Sequence, residues 1–239
     1  MKNSDKLFIL PIILLTINLL YRLVDTAKML TTFPLDYVND ISAYISLLHF
    51  TDVYGFLTTV PNWYNGFTLF EAAAPGWFYL TLPLLWITDN IMLATYLSII
   101  LLYILAFIGI NGIGKTLKLS KIKRIAFFLF AFANPMLIGG ILKQGRIPEF
   151  AALVILVYIL WLALYYKDKK LDNKLWLLAP LYTALILTHQ PETILGSTFI
   201  LGLLLIKDWK DKIKIIAALA FGILLSSFWL FQFIIASQE

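Results

Sequence analysis

A chain of 239 residues could form one or two soluble domains, but 61% of this one is apolar and only 14% is charged, against roughly 45–50% and 25% in soluble domains. With a mean hydropathy of +0.85 it cannot cover its apolar surface with polar side chains, so lipid is the expected solvent for most of its length. Disorder and nucleic-acid binding are excluded on the same grounds, and the absence of cysteine excludes both a disulfide framework and a thiol nucleophile.

The apolar runs predict an all-α integral membrane protein of about seven spans, organised as a single transmembrane domain over residues 1–239. The first run, 7–24, follows Lys2 and Lys6 as a signal peptide would. It is succeeded by Tyr21-Arg22-Leu23 rather than a small-residue cleavage site, so it reads as a retained anchor. The next runs are 91–110, 125–142 and 150–166. Two shorter ones, 175–188 and 193–206, flank His189-Gln190-Pro191-Glu192, which predicts a helical hairpin with a polar tip drawn toward the membrane surface. The last is 213–235. One more apolar stretch, 75–87, is too short for an unkinked crossing and contains Pro83. With Trp77 and Trp86 it suits a re-entrant or interfacial helix within a long loop, 25–90.

Orientation follows from lysine and arginine. With seven spans and a cytoplasmic N-terminus, all but Arg22, Lys28, Lys143 and Arg146 of the 19 basic residues fall inside. Of the 14 acids, only Asp5, Asp168, Asp172, Asp208 and Asp211 do so. The expected location is therefore the cell membrane, multi-pass, with the C-terminal end outside. An eight-span arrangement, in which 75–87 crosses and the N-terminus lies outside, satisfies the rule equally. It changes only the side of the first loop.

Three polar segments then share the outer face. The first loop carries Asp36 and Asp40, four apart and so on one face of any helix there; two such carboxylates can hold a divalent cation or supply a base, or simply be solvated. Arg146 and Glu149, three apart at a span mouth, could grip a phosphate through the guanidinium or form an interfacial ion pair. His189 and Glu192, between short spans, are functional if they sit at membrane depth and ordinary loop residues if they reach water. No phosphate loop, HExxH helix, serine elbow or Cys/His cluster is present.

Taken together, one span, a long acidic outer loop with a juxtamembrane helix, and six further spans resemble the shared module of GT-C membrane glycosyltransferases. The closest likeness is to the archaeal and bacterial membrane family labelled "6-pyruvoyl-tetrahydropterin synthase-related", a label that implies no pterin chemistry. The residues that carry it are Asp40-Ile41-Ser42-Ala43-Tyr44, Pro61-Asn62-Trp63, Gly66-Phe67-Thr68-Leu69-Phe70, Gly145-Arg146-Ile147-Pro148-Glu149 and Thr188-His189. The resemblance implies a polyprenyl-phosphate-linked sugar donor held in membrane lipid. It makes Asp40, then Asp36, the catalytic acids. Asp40 and Glu149 become ligands of a divalent cation (Mg or Mn), and Arg146, His189, Glu192 and Trp63 become substrate-binding residues. Two departures stand out: the second outer loop has no paired acids, and members are usually longer, so an N-terminal fragment is expected. The competing readings are a transporter or lipid-handling protein using the same polar tips, and a non-catalytic membrane scaffold.

Overall fold

The computed structural model describes residues 3–31, 40–63, 65–71 and 73–236 of the chain, and it is 81% helical. A short α1 (Asn3–Lys6) leads into α2 (Ile9–Thr31), which runs unbroken for 23 residues. In the first loop α3 (Ile41–Tyr54) is stopped by Gly55 at φ 84°. A two-stranded hairpin follows, β1 (Thr59–Val60) against β2 (Phe67–Thr68), with Thr59 opposite Thr68. Next come α4 (Gly76–Thr88) and α5 (Ile91–Thr116); α5 is capped by the Asn90 side chain, which accepts from the Leu93 N–H. The second half comprises α6 (Lys121–Phe132), α7 (Pro135–Ile138) running into a π turn at 139–143, α8 (Ile147–Tyr166), and a 3₁₀ turn at 173–177. It ends with α9 (Leu178–Thr188), α10 (Gln190–Ile206) and α11 (Trp209–Ala236).

Four of these helices, α2, α5, α8 and α11, are long and apolar enough to cross a membrane, and α6 with α7 and the π turn makes a fifth apolar length that is bent by 45°. The sequence pattern predicts one straight helix over 125–142, and the structure breaks it. Pro135 has no N–H to give, and the Asn134 side chain takes the Leu137 N–H that would otherwise return to Ala133. The freed Ala133 carbonyl accepts instead from Asn18 Nδ2 of α2 at 3.5 Å. The other short runs are helices of limited reach. The 3₁₀ turn with α9, and α10 alone, each extend roughly 26 Å, less than the ~30 Å hydrocarbon thickness. The polar tip between them is smaller than expected. Only His189 is extended (φ −163°), and Pro191 sits in the first turn of α10, where a missing N–H has no intrahelical partner to lose.

α5, α8 and α4 pack around a core in which Trp77, Phe78 and Phe150 are fully buried. Small residues set the spacing, as expected where lipid removes the hydrophobic drive between helices. A Cβ on Gly109 or Gly112 of α5 would lie 2.7 Å from Val157 and 2.5 Å from the Trp161 ring of α8. α10, α9 and α11 form a second layer, with the Thr183 hydroxyl donating to the Gly222 carbonyl at 2.9 Å.

Hydrogen bonds between distant segments define the two ends of this bundle. At one end Ser120 donates to Asp5 at 3.1 Å, and Lys207 reaches the carbonyl of Lys169 at 2.7 Å. At the other, the Asp40 N–H donates to the Gln144 carbonyl at 3.0 Å, and Trp229 Nε1 donates to the Phe70 carbonyl at 2.8 Å. The start of α4 is pressed onto the end of α9 at this second end. A Cβ on Gly76 would stand 2.2 Å from the Thr188 hydroxyl and 2.7 Å from the Leu187 carbonyl oxygen. Backbone cannot step aside, so Gly76→Ala is expected to lower stability by about 1–3 kcal/mol. Thermal unfolding in detergent measures this, and an unchanged midpoint would mean that α4 can leave α9 freely.

Candidate functional site

The Asp40 end of the bundle is where the candidate residues gather, and a glycine makes the gathering close. Gly145 adopts φ 79°, in the left-handed region that favours glycine. A Cβ there would be 2.8 Å from the Ile41 N and 3.0 Å from the Asp40 N. The backbone of the first loop therefore rests directly on the segment before α8. This contact sets Asp40, at the start of α3, beside Arg146 and Glu149, at the start of α8. Asp40 occupies the N-cap position of α3 but has α-region dihedrals, and its carboxylate makes no capping hydrogen bond. It is an exposed acid left over from the local folding problem that an N-cap Asp ordinarily solves.

Tyr44, one turn further along α3, reports how close these groups are. Its hydroxyl is pushed up to about 12, first by burial, then by the negative charges of Asp40 and Glu149, with Arg146 acting in the opposite sense. The phenol therefore stays neutral at any physiological pH and is available as a donor. Nothing in residue spacing marks Tyr44 as a site residue; it appears only as the last residue of the Asp40 motif. Its ring packs at 5.9 Å from Trp77 and 6.4 Å from Phe78, which ties α3 to the start of α4.

Arg146 and Glu149 form an ion pair at 3.5 Å with both side chains partly open to solvent. Such a pair contributes little to stability, so Arg146 can exchange this partner for a ligand. Both line a cleft of about 600 Å³ that also takes in Asn134, Gly140, Gln144 and Phe150. Neither His189 nor Glu192 lines it. That pair connects to the cluster through packing: Thr188 abuts Gly76, whose neighbour Trp77 carries the Tyr44 ring. His189 Nδ1 is bonded to the Glu192 carboxylate, which is buried while the imidazole is about one-third exposed.

The pairing predicts that His189→Ala, by orphaning a buried carboxylate, destabilises the protein by about 1–3 kcal/mol. Adding Glu192→Gln should recover most of the loss. A double-mutant cycle on unfolding midpoints checks this, and additive effects would show that the two side chains do not support one another. Of the remaining expected residues, Trp63 packs edge-on against Phe50, ring centroids 4.6 Å apart, and does not line the Arg146 cleft. Asp36 lies outside the described residues.

Among the described residues no three Asp, Glu or His side chains converge as a metal cage. The donor set is instead two carboxylates, Asp40 and Glu149, of which one is already paired with arginine. Magnesium is commonly held by one or two carboxylates with water and substrate phosphate supplying the remainder, and this pair suits only that mode.

Comparison of the chain with known protein families, with curated proteins and with solved structures returns no match.

Proposed function

We propose that the protein is a GT-C-type membrane glycosyltransferase that takes a sugar from a polyprenyl-phosphate carrier on the extracytoplasmic face. One observation carries this reading: Asp40, Arg146 and Glu149 surround Tyr44 beside a cleft open to solvent, at the end of the bundle where an apolar cavity of about 550 Å³ also begins. That cavity runs from Gly76, Trp77 and Thr188 past Leu102 and Val154, between α4, α5, α8 and α9. A polar cleft and an apolar slot that both adjoin α8 suit a ligand with an anionic head and an isoprenoid tail.

In the proposed reaction the acceptor hydroxyl attacks the anomeric carbon and gives its proton to the Asp40 carboxylate. The bond from that carbon to the carrier phosphate breaks, and the polyprenyl phosphate leaves with the electron pair. Attack from the opposite side inverts the anomeric centre. Arg146 neutralises the departing phosphate by a charge-assisted contact. Tyr44 donates toward the same charge, and His189 with Glu192 orients the donor from the α9–α10 turn. A bound Mg or Mn ion, held by Asp40 and Glu149, would add charge neutralisation at the phosphate. Asp36, the second catalytic acid in this reading, completes the first loop's contribution, and Trp63 would meet substrate only outside the Arg146 cleft, which it does not line.

The reading requires seven spans with the N-terminus in the cytoplasm, α4 remaining within the outer loop. Support comes from the sidedness of the contacts. The first loop bonds to Gln144, the N-terminal Asp5 bonds to Ser120, and the basic segments at 121–124, 167–170 and 207 share the Asp5 end. An eight-span arrangement would put the first loop and Gln144 on opposite sides. Because the protein has no cysteine, Asn62→Cys and Lys121→Cys each introduce a unique exposed thiol. An impermeant maleimide should label the first on intact cells and the second only after lysis; the reverse pattern would exclude this orientation.

Membranes containing the protein should move label from a radiolabelled polyprenyl-phosphate sugar to acceptor. Failure to release label from hexose and pentose carriers alike, with Mg or Mn supplied, would remove the transferase reading. Loss of transfer on chelation, restored by either ion, would assign the cation.

A further inference from the structure

A second polar cleft, of about 430 Å³, lies on the other flank of the broken helix, between α2 and the α7–π segment. α2 contributes Asn18, Arg22, Asp25 and Thr26, and the broken helix contributes Gly139 and Lys143. Arg22 stands about 20 Å along α2 from Ile9, within the outer part of a ~30 Å hydrocarbon layer. An ionisable side chain at that depth is costly unless it faces a cavity and finds a counter-charge.

The cavity is present, but the counter-charge is incomplete. Arg22 approaches Asp25 only at 3.8 Å, with both side chains about half exposed, and Lys143 has no ion-pair partner among the described residues. Two cations thus share one cleft with one loosely held acid. Among the described residues they are also two of four basic residues at this end, the others lying at the opposite end. The backbone at the cleft wall is bare as well: a Cβ on Gly139 would meet nothing within 4 Å. Packing therefore does not require the glycine, and its absence of side chain leaves room for a ligand against the π turn, an element that recurs at functional positions.

We propose that this cleft binds the phosphate headgroup of an anionic membrane lipid in the extracytoplasmic leaflet, with Arg22 and Lys143 as its cationic contacts and Asn18 and Thr26 as polar ones. The cleft meets the Arg146 cleft at Pro135, Gly139 and Lys143, which line both, but Arg22, Asn18 and Thr26 line only this one, and the proposal does not depend on the transferase reading. It seats a lipid against α2, the least buried of the four long apolar helices.

The test is titration of the detergent-solubilised protein with phosphatidylglycerol, followed by the unfolding midpoint and by native mass spectrometry, with diacylglycerol and inorganic phosphate as parallel arms. Phosphatidylglycerol should bind saturably and raise the midpoint, and diacylglycerol should not. Arg22→Gln and Lys143→Gln should each weaken binding about fivefold and together about 30-fold, while Lys143→Arg keeps wild-type affinity. Lys143 is exposed, so its variants keep the measurement open if Arg22→Gln fails to fold. Equal affinity in wild type and in Lys143→Gln, or equal binding of diacylglycerol, overturns the proposal. Binding of inorganic phosphate without the lipid overturns the lipid as its source.

Discussion

Asp40→Asn is expected to abolish sugar transfer while leaving the protein folded and inserted. The substitution preserves volume and removes only charge and basicity. Removing a general base typically lowers rate by roughly 10²–10⁴-fold. The local structure isolates that effect. Asp40 makes no side-chain cap to α3, and asparagine is as good an N-cap residue as aspartate, so helix stability should not change. Its backbone N–H, which bonds to the Gln144 carbonyl, is untouched. Initial rates of label transfer in membranes, normalised to inserted protein, provide the measurement. Wild-type rates in Asp40→Asn would end the catalytic reading of the first loop, since a merely solvated acid predicts that outcome.

Gly145→Ala is expected to disable the same site without altering any charged group. The new methyl must occupy a left-handed backbone conformation and would also intrude within about 3 Å of two backbone nitrogens, those of Asp40 and Ile41. Neither nitrogen can rotate away, so α3 must withdraw from the start of α8, and Asp40 with it. A displacement near 1 Å at a reacting group is enough to lower rate by ~10²-fold. The spanning helices should persist, so helical circular dichroism should stay near wild type while transfer falls. Undiminished transfer in Gly145→Ala would falsify the requirement that Asp40 and Arg146 act at one place.

Much of the architecture was legible because lipid imposes a simple composition rule. The runs at 91–110, 150–166 and 213–235 became α5, α8 and α11 with ends a few residues beyond those expected, since helices continue into the interface where polar residues begin. The first run extended further, to Thr31, because Arg22 and Asp25 are tolerated on a helix flank that borders a polar cleft. The break at Asn134-Pro135 was written in the sequence but outweighed by unbroken hydropathy on both sides. Pro191 misled in the opposite direction: a residue that ends helices also begins them, and only the extended conformation of His189 distinguishes the two uses.

The site was less legible. Asp40, Arg146 and Glu149 could be singled out as ionisable groups in outer segments, but their meeting depends on a backbone contact at Gly145 that no residue pattern encodes. Tyr44 is one of 12 tyrosines, and its neighbours come from three separate parts of the chain. Trp63 entered as a substrate-binding residue through the resemblance alone; its ring packs on Phe50 and it does not line the Arg146 cleft.

The hydrogen bond from Trp229 to the Phe70 carbonyl joins residues 159 positions apart, with the indole fully buried. This places a constraint on the order of assembly at the translocon. At 5–20 residues per second, roughly 10–30 s separate synthesis of the loop from synthesis of the helix that completes its hydrogen bonding. For that interval the Phe70 carbonyl lacks its indole partner, so the first loop completes its hydrogen bonding only once α11 has been made. Maturation of this surface is thus timed by the insertion of a helix that contributes no charged residue to it.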